Sequence, residues 1–306
     1  MREFSKPFLC GRAAVYYGNI GHPMVWHNDQ AGNEVLVKAL IPAAGLGSRF
    51  LPATKAIPKE MLPVVDKPVI QYIVEEGLAS GADEVVIINS REKSAIEEHF
   101  APNPKLVEHL RAHGKDSYAD AVEAAGNLNV SYVYQDEPLG LGHAVHCAAQ
   151  KMGDEPFYVL LGDVIVPGND MLVRMNQVSA AHGGASVIAV MEVPKEDVSR
   201  FGVIAGSQVD DKVWKIDSLV EKPPVEKAPS NLAVFGRYLL TPRVMELLAE
   251  VEPGAGGEIQ LTDALDAVLR EEEMYALVID PEEGFDTGTV ATWLETNNVM
   301  NARRNG

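Results

Sequence analysis

The sequence predicts an α/β fold: a Rossmann-like, doubly wound sheet, mixed but mainly parallel, with helices on both faces and a smaller antiparallel part. Three observations predict it. Buried-strand patterns alternate with helical ones from Val35 to Val193. The first strand, helix and strand fit within about 50 residues, the span of a βαβ unit with parallel strands. After Pro194 closely spaced strands with a Gly/Asp turn between them replace the strand-helix alternation.

Val35 to Pro42 is an apolar run ended by proline, which reads as a buried strand. Asp66 to Ser80 places Val69, Ile70, Ile73, Val74, Gly77 and Leu78 at helical spacing. Glu84 to Asn89 is a second buried strand. Ala101 to Leu128 breaks the rhythm and reads as an inserted helical hairpin, mostly solvated. Val130 to Gln135, Gly142 to Lys151 and Phe157 to Leu161 follow as strand, helix and strand. A helix near Met171 to Ala181 and a strand near Ala185 to Val193 complete the alternating half. Gly202 to Ala205, Val213 to Val220 and Asn231 to Leu240 are the next strands. Helices near Pro242 to Val251 and Leu261 to Glu272, a strand at Met274 to Ile279 and a helix from Thr289 to Ala302 close the chain. Residues 35–302 thus form one domain with halves 35–193 and 194–302 on a shared sheet. Residues 1–34 carry no stable period and are expected to be a flexible extension.

The chain has 306 residues, enough for a sizeable core. No apolar run reaches the ~18 residues that span a bilayer, and Met1 to Asn33 has no clean secretory h-region. A cytoplasmic protein is expected. The formal net charge of -18 repels nucleic acid and anionic membranes, which argues against both as partners. Screening beyond roughly 8 Å leaves room for a local basic cluster that binds phosphate. Two widely spaced cysteines, Cys10 and Cys147, form neither a disulfide framework nor a zinc pattern. His143 and His146 lie one turn apart without a third ligand, so they read as non-metal residues. Glu271 to Glu273 reads as a solvated face at a helix end.

The informative segment follows the first strand. Ala43, Ala44, Gly45, Gly47 and Arg49 form a loop of small residues ending in a guanidinium. Glycines and alanines let backbone N–H groups approach a phosphate, and arginine adds a planar fork of donors. Phe50 stands where a dinucleotide fingerprint needs its third glycine, and no Gly-Lys-Ser/Thr follows, so neither that fingerprint nor a Walker loop applies. Alone, the G-x-G is also compatible with a tight strand-to-helix turn. Lys59 and Glu60 follow in Pro58-Lys59-Glu60.

The loop, G-x-G-x-R followed downstream by Pro58-Lys59, resembles the pattern of nucleotide-sugar pyrophosphorylases. The stretch from Ala43 to Ala79 is similar to the bacterial UTP–glucose-1-phosphate uridylyltransferase branch. The resemblance continues at Gln135 to Ala144, Leu161-Gly162-Asp163, Glu221-Lys222-Pro223 and Gly254 to Asp263, and covers about Val35 to Ala302. It implies transfer of UMP from UTP to α-D-glucose 1-phosphate, with Mg²⁺ as cofactor and UDP-glucose and pyrophosphate as products. It also implies a homo-oligomer, a dimer or tetramer. The hairpin at 101–128 and the last helix are the expected contact surfaces.

Such a reaction brings two anions into line and stabilises a departing one, so cations must dominate the site. Arg49, Lys59, Asp163 and Lys222 are the implied catalytic residues. Ala43, Ala44, Gly45, Gly47, Glu60, Gln135, Gly140 and Gly142 are the implied nucleotide-binding set. Asp163 ends a buried strand, where α/β sheets bind ligands, and its carboxylate suits a hard cation; capping the next turn is its bland alternative. Asp286, in Asp286-Thr287-Gly288, resembles the D-T-G element of sugar thymidylyltransferases and is the implied second metal ligand, although Asp286 or Thr287 could equally cap the last helix. The Gln135 amide matches the imide edge of uracil, while Gly140 and Gly142 let backbone approach the base. Gly202, Glu221 and Lys222 are implied to hold the sugar phosphate. Gly256 stands where some sugar thymidylyltransferases carry arginine, which shifts the phosphate charge to Lys222 or to Arg237. Enzymes of the same fold using dTTP or CTP, and a catalytically silent sugar-nucleotide sensor, are the rival readings. A sensor would have lost Arg49, Lys59, Asp163 or Lys222.

Overall fold

The computed structural model describes residues 37–254 and 257–305. The extension at 1–34, Cys10 and Gly256 lie outside the described residues. Residues beyond Leu36 pack as one unit.

The first half runs β1 (Lys38–Pro42), a glycine loop with three short 3-10 turns, and a ribbon of β2 (Pro63–Val64) and β3 (Lys67–Pro68). It continues with α1 (Val69–Ala79), β4 (Glu84–Asn89) and α2 (Ser94–Phe100). Then come α3 (Pro104–Ala112), α4 (Asp116–Gly126), β5 (Val130–Tyr134), α5 (Leu141–Cys147) and α6 (Ala149–Met152). β6 (Phe157–Leu160), β7 (Val164–Ile165), α7 (Asp170–Ala181) and β8 (Ser186–Glu192) complete it. The second half holds β9 (Gly202–Asp210), β10 (Val213–Glu221), β11 (Leu232–Leu240), α8 (Arg243–Leu248) and α9 (Leu261–Val268). It closes with β12 (Met274–Ile279), β13 (Phe285–Asp286) and α10 (Val290–Asn305).

One sheet carries the order β5-β4-β1-β6-β11-β8-β12-β10-β9. The β5, β4, β1 and β6 neighbours are parallel, as is β8 beside β12. β11 runs antiparallel to both β6 and β8, and β10 is antiparallel to β12 and β9. The two expected halves therefore share this mixed sheet, with β11 from the second half inserted beside β6 from the first.

The central strands β4, β1, β6, β11, β8 and β12 are buried on both faces. Leu40, Val86, Ile88 and Val159 join Val145 of α5, Val244 of α8 and Leu265 of α9 in one apolar cluster. Burying each such side chain contributes roughly 1.5–3 kcal/mol. On the opposite face α1 packs closely, because Gly77 has no side chain. A Cβ there would sit 3.2 Å from Ala39 Cβ and 3.3 Å from Leu160 Cδ1.

The expected helix from Gly142 to Lys151 is two helices. The N–H of Ala148 bonds the Val145 carbonyl, an i−3 bond that breaks the α-helical ladder between α5 and α6. The hairpin at 101–128 is α3 and α4, with Pro104 in the first turn and the Asn103 side chain accepting from Leu106 N. The Glu271–Glu273 run is more than a solvated face. Glu271 pairs with Arg243, Glu272 accepts from Thr241 and Glu273 pairs with Lys215. No helix of the described residues is long and apolar enough to cross a membrane.

Arg237 lies in the core. Its side chain is 0% exposed and its partner Glu76, on α1, is 1% exposed. Nε and Nη2 lie 2.9 Å and 2.7 Å from the two carboxylate oxygens. The same guanidinium donates to the carbonyls of Leu161 and Val164, on either side of Asp163. The expectation that Arg237 shares a substrate's phosphate charge is thus corrected. Its donors are spent inside the protein, where they hold the turn that carries Asp163.

Candidate active site

The β1 and β6 strands are parallel neighbours, so the segments leaving their carboxyl ends adjoin. Gly162 makes the approach close, since a Cβ there would lie 2.9 Å from the Pro42 carbonyl oxygen. This places the glycine loop beside Asp163. Lys59, from a 3-10 turn after the loop, puts Nζ 2.7 Å from Asp163 Oδ2. Burial pushes the Asp163 carboxyl up, but the Lys59 and Arg49 charges outweigh it and hold the group below the ordinary aspartate range. Burial likewise opposes the Lys59 charge, yet Asp163 and Glu60 raise its pKa overall.

Asp286 reaches the same point from far along the chain. β13 pairs antiparallel with β7, with Asp286 opposite Val164. The N–H and hydroxyl of Thr287 both donate to the Asp163 backbone oxygen, at 2.7 Å and 2.9 Å. Gly288 N donates to Asp286 Oδ1 at 2.7 Å. A Cβ on Gly288 would fall 2.9 Å from Asp286 Oδ1, 3.3 Å from Asp163 Oδ2 and 3.6 Å from Arg49 Nη1. The glycine therefore keeps open a small cradle between two carboxylates. Burial, and then the Asp163 charge, raise the pKa of Asp286 despite its Gly288 hydrogen bond.

That cradle fits a hard divalent cation. Its donors are carboxylate oxygens, and a cation would relieve the repulsion between them. Among the described residues no three His, Cys, Asp or Glu side chains could hold a metal by themselves. Two protein carboxylates with the rest from water and phosphate is the usual arrangement for Mg²⁺.

Two hollows meet at Asp163. One, about 480 Å³, is lined by Ala44, Gly45, Gly47, Lys59, Gln135 and Gly140. The other, about 720 Å³, is lined by Arg49, Arg200, Gly202, Glu221, Lys222 and Asp286. Leu141, Leu161, Asp163 and Glu258 border both. Arg49 leaves the glycine loop yet faces the second hollow, beside the two aspartates.

Gln135 directly follows β5. Its Nε2 lies 3.1 Å from the Gly140 carbonyl and 2.9 Å from His143 Nδ1. A carbonyl only accepts, so the amide nitrogen must face it, and Nδ1 must accept the second hydrogen. His143 then carries its proton on Nε2. Both Gln135 hydrogens are used, and its Oε1 has no partner among the described residues. The Gly140 carbonyl and His143 Nδ1 thus orient the Gln135 amide together. Cys147 lies 3.8 Å from His143 Nε2, and burial raises its thiol pKa, which keeps it protonated.

Gly140 and Gly142 meet the chain itself. A Cβ would lie 2.7 Å and 2.8 Å from the Ile259 carbonyl oxygen, and Gly140 has φ of 105°. Their lack of side chains lets residues 139–142 pair with 259. Glu60 is buried, with Oε2 on Lys93 at 2.9 Å and Oε1 without a hydrogen-bond partner among the described residues. Ala43 is also buried and lines neither hollow. In the second hollow Lys222 adopts a left-handed φ of 43°, rare for a residue with a side chain. Its Nζ lies 3.1 Å from Glu221 Oε1, while Thr262 donates to Glu221 Oε2 at 2.8 Å. Gly202 leaves the space beside that carboxylate: a Cβ would stand 3.2 Å from Oε2.

Sequence reading missed Thr287, Thr262, Arg200 and Lys93. Arg200 sits two residues before Gly202 in Arg200-Phe201-Gly202, so its closeness to that glycine was the available signal. Thr287 adjoins Asp286 and Thr262 lies within Gly254 to Asp263, so both stood inside segments already singled out; Lys93 carried no signal, because only the fold brings it to the loop.

The family model for nucleotidyl transferases matches residues 38–303. The chain belongs to this family. Among nucleotidyl transferases it is 45% identical over 262 residues to the UTP–glucose-1-phosphate uridylyltransferase of Bacillus subtilis (strain 168), covering 84% of this chain and 90% of the relative. A crystal structure of UDP-glucose pyrophosphorylase complexed with UDP-glucose matches with TM-score 0.78 and 39% identity, over 88% of this chain and 100% of that one. A UTP-bound enzyme from Acinetobacter baumannii matches with TM-score 0.78 and 36% identity, over 87% and 93%. Within the nucleotidyl transferases the chain is therefore a member of the UTP–glucose-1-phosphate uridylyltransferase group.

Proposed function

We propose that this nucleotidyl transferase moves UMP from UTP to α-D-glucose 1-phosphate, giving UDP-glucose and pyrophosphate. The observation that carries the reading is the convergence of Asp163 and Asp286 where the two hollows meet. A triphosphate in the first hollow and a sugar phosphate in the second would present their reacting atoms there. A phosphate oxygen of the sugar attacks the α-phosphorus of UTP, that O–P bond forms, and the bond to the pyrophosphate oxygen breaks.

The protein supplies alignment and charge. Ala44, Gly45 and Gly47 cradle phosphates with backbone N–H groups, and Lys59 sits beside them. Arg49, Lys222 and Arg200 balance the second anion, and Glu221 accepts from sugar hydroxyls. Gln135 offers Oε1 to the N3–H of uracil. Asp163 and Asp286 would hold Mg²⁺, whose charge when bound offsets that of the phosphates. On this reading residues 35–193 serve the nucleotide and 194–302 the sugar. The enzyme is cytoplasmic and forms a dimer or tetramer.

Pyrophosphate release across a grid of triphosphates and sugar 1-phosphates tests the reading. UTP with glucose 1-phosphate should give the highest kcat/KM. A higher value with dTTP, CTP or another sugar would replace the substrate assignment.

Two further outcomes follow from the geometry. Gly288→Ala pushes a methyl between the carboxylates, so the Mg²⁺ concentration for half-maximal rate should rise about 10–100-fold, as when a metal ligand's support is lost. The thermal midpoint should barely move. His143→Leu removes one of the two acceptors that orient Gln135 and leaves the longer bond to the Gly140 carbonyl. Cytosine presents an acceptor at N3, which an inverted amide would welcome. The preference for UTP over CTP should therefore shrink about tenfold, and His143→Asn, which restores an acceptor near Nδ1, should recover it. An unchanged UTP/CTP ratio in His143→Leu would reject the orienting role.

A further inference from the structure

We infer that Lys93 is a positioning residue that aims the glycine loop's N–H groups at the triphosphate. It resides in the turn between β4 and α2, and its side chain is 12% exposed. Its ammonium donates to the carbonyls of Ala43 and Gly45, each at 2.6 Å, and to Glu60 Oε2 at 2.9 Å. Three donors meet three acceptors, so its hydrogen-bonding capacity is filled.

The consequence lies on the other side of each peptide. A trans peptide is planar, with its C=O and N–H pointing in opposite directions. Drawing the Ala43 and Gly45 carbonyls onto Lys93 turns the N–H groups of Ala44 and Leu46 away from it. Ala44, Gly45 and Leu46 line the first hollow, whereas Lys93 and Ala43 do not. Among the described residues no protein acceptor meets the N–H of Ala44, Gly45 or Leu46. The loop is therefore a set of aimed, unclaimed donors, the arrangement that binds phosphate oxygens through backbone. Nothing packs within 4 Å of where a Gly45 Cβ would stand, so contacts around that residue do not fix the peptide's direction. Lys93 does, and buried Glu60 in turn fixes Lys93. Glu60 thus serves the nucleotide at one remove, through the lysine.

The inference rests on the triphosphate reading of this hollow. Its test is the steady-state KM for UTP and for glucose 1-phosphate in wild type and Lys93→Met, with thermal midpoints measured alongside. Methionine keeps the stem's packing and removes the three donors. The KM for UTP should rise at least about tenfold, as expected for losing aligned charge-assisted contacts, while that for glucose 1-phosphate stays within about twofold. Because Lys93→Met orphans the Glu60 carboxylate, Lys93→Met with Glu60→Gln is measured too and should show the same split. Equal UTP KM values in wild type and a folded variant would overturn the inference, as would a parallel rise in both KM values. A wild type that does not use UTP would instead remove the functional reading itself.

Discussion

Asp163→Asn should lower Mg²⁺-dependent pyrophosphate release by about 10³-fold, the scale of removing a principal electrostatic group from a transition state. The substitution is nearly isosteric. The Asp163 backbone oxygen, which anchors Thr287, is untouched, so β7 and β13 stay paired and the thermal midpoint should shift by no more than a few degrees. Two losses combine. The cradle shared with Asp286 loses half its charge, and Lys59 loses the carboxylate 2.7 Å away that holds its ammonium in place. Turnover in excess Mg²⁺ separates them, since weakened metal binding is recovered by more metal and misplacement of Lys59 is not. Undiminished turnover in Asp163→Asn would refute the metal role assigned to this residue.

Arg237→Met should destabilise the protein by about 3–5 kcal/mol, the cost of leaving a buried charge without its partner. At roughly 2–4 °C per kcal/mol for domains of a few hundred residues, the thermal midpoint falls by about 10 °C. Glu76 is then uncompensated between α1 and the sheet. The carbonyls of Leu161 and Val164 lose donors as well. Adding Glu76→Met should restore much of the stability, because two apolar side chains of similar volume replace a buried pair at little net cost. Activity should not recover equally, since the turn bearing Asp163 still lacks its support. Full recovery of both stability and rate in the double variant would show that Arg237 matters only as a counter-ion.

The alternation of strands and helices was legible because periodicities of 2 and 3.6 are local. Leu40 and Ile88 are apolar whatever lies across the sheet, and the hairpin at 101–128 announced itself through its mostly solvated pattern. The glycine loop was legible for the same reason, being contiguous with β1. Asp286 stood out only through a resemblance. A strand of two residues, Phe285 and Asp286, has no period to read, and its pairing with Val164 and Ile165 spans most of the second half. Arg237 was misread because one arginine among apolar residues of a strand looks the same whether its partner is a ligand or Glu76. Burial distinguishes them, and burial is a property of the packed chain.

By itself, then, the sequence determined the layered α/β architecture, the phosphate-type loop at Ala43 to Arg49 and a carboxylate at the end of β6. Each follows from residues close together in the chain, whose chemistry is the same in any packing. Tertiary structure alone decided that Asp286 meets Asp163, that Arg237 turns inward, that His143 orients Gln135 and that Lys93 lies behind the loop. Except for His143 and Gln135, which are eight residues apart, those are relations between groups far apart in sequence. Their distances depend on strand register and on which groups the core excludes from water.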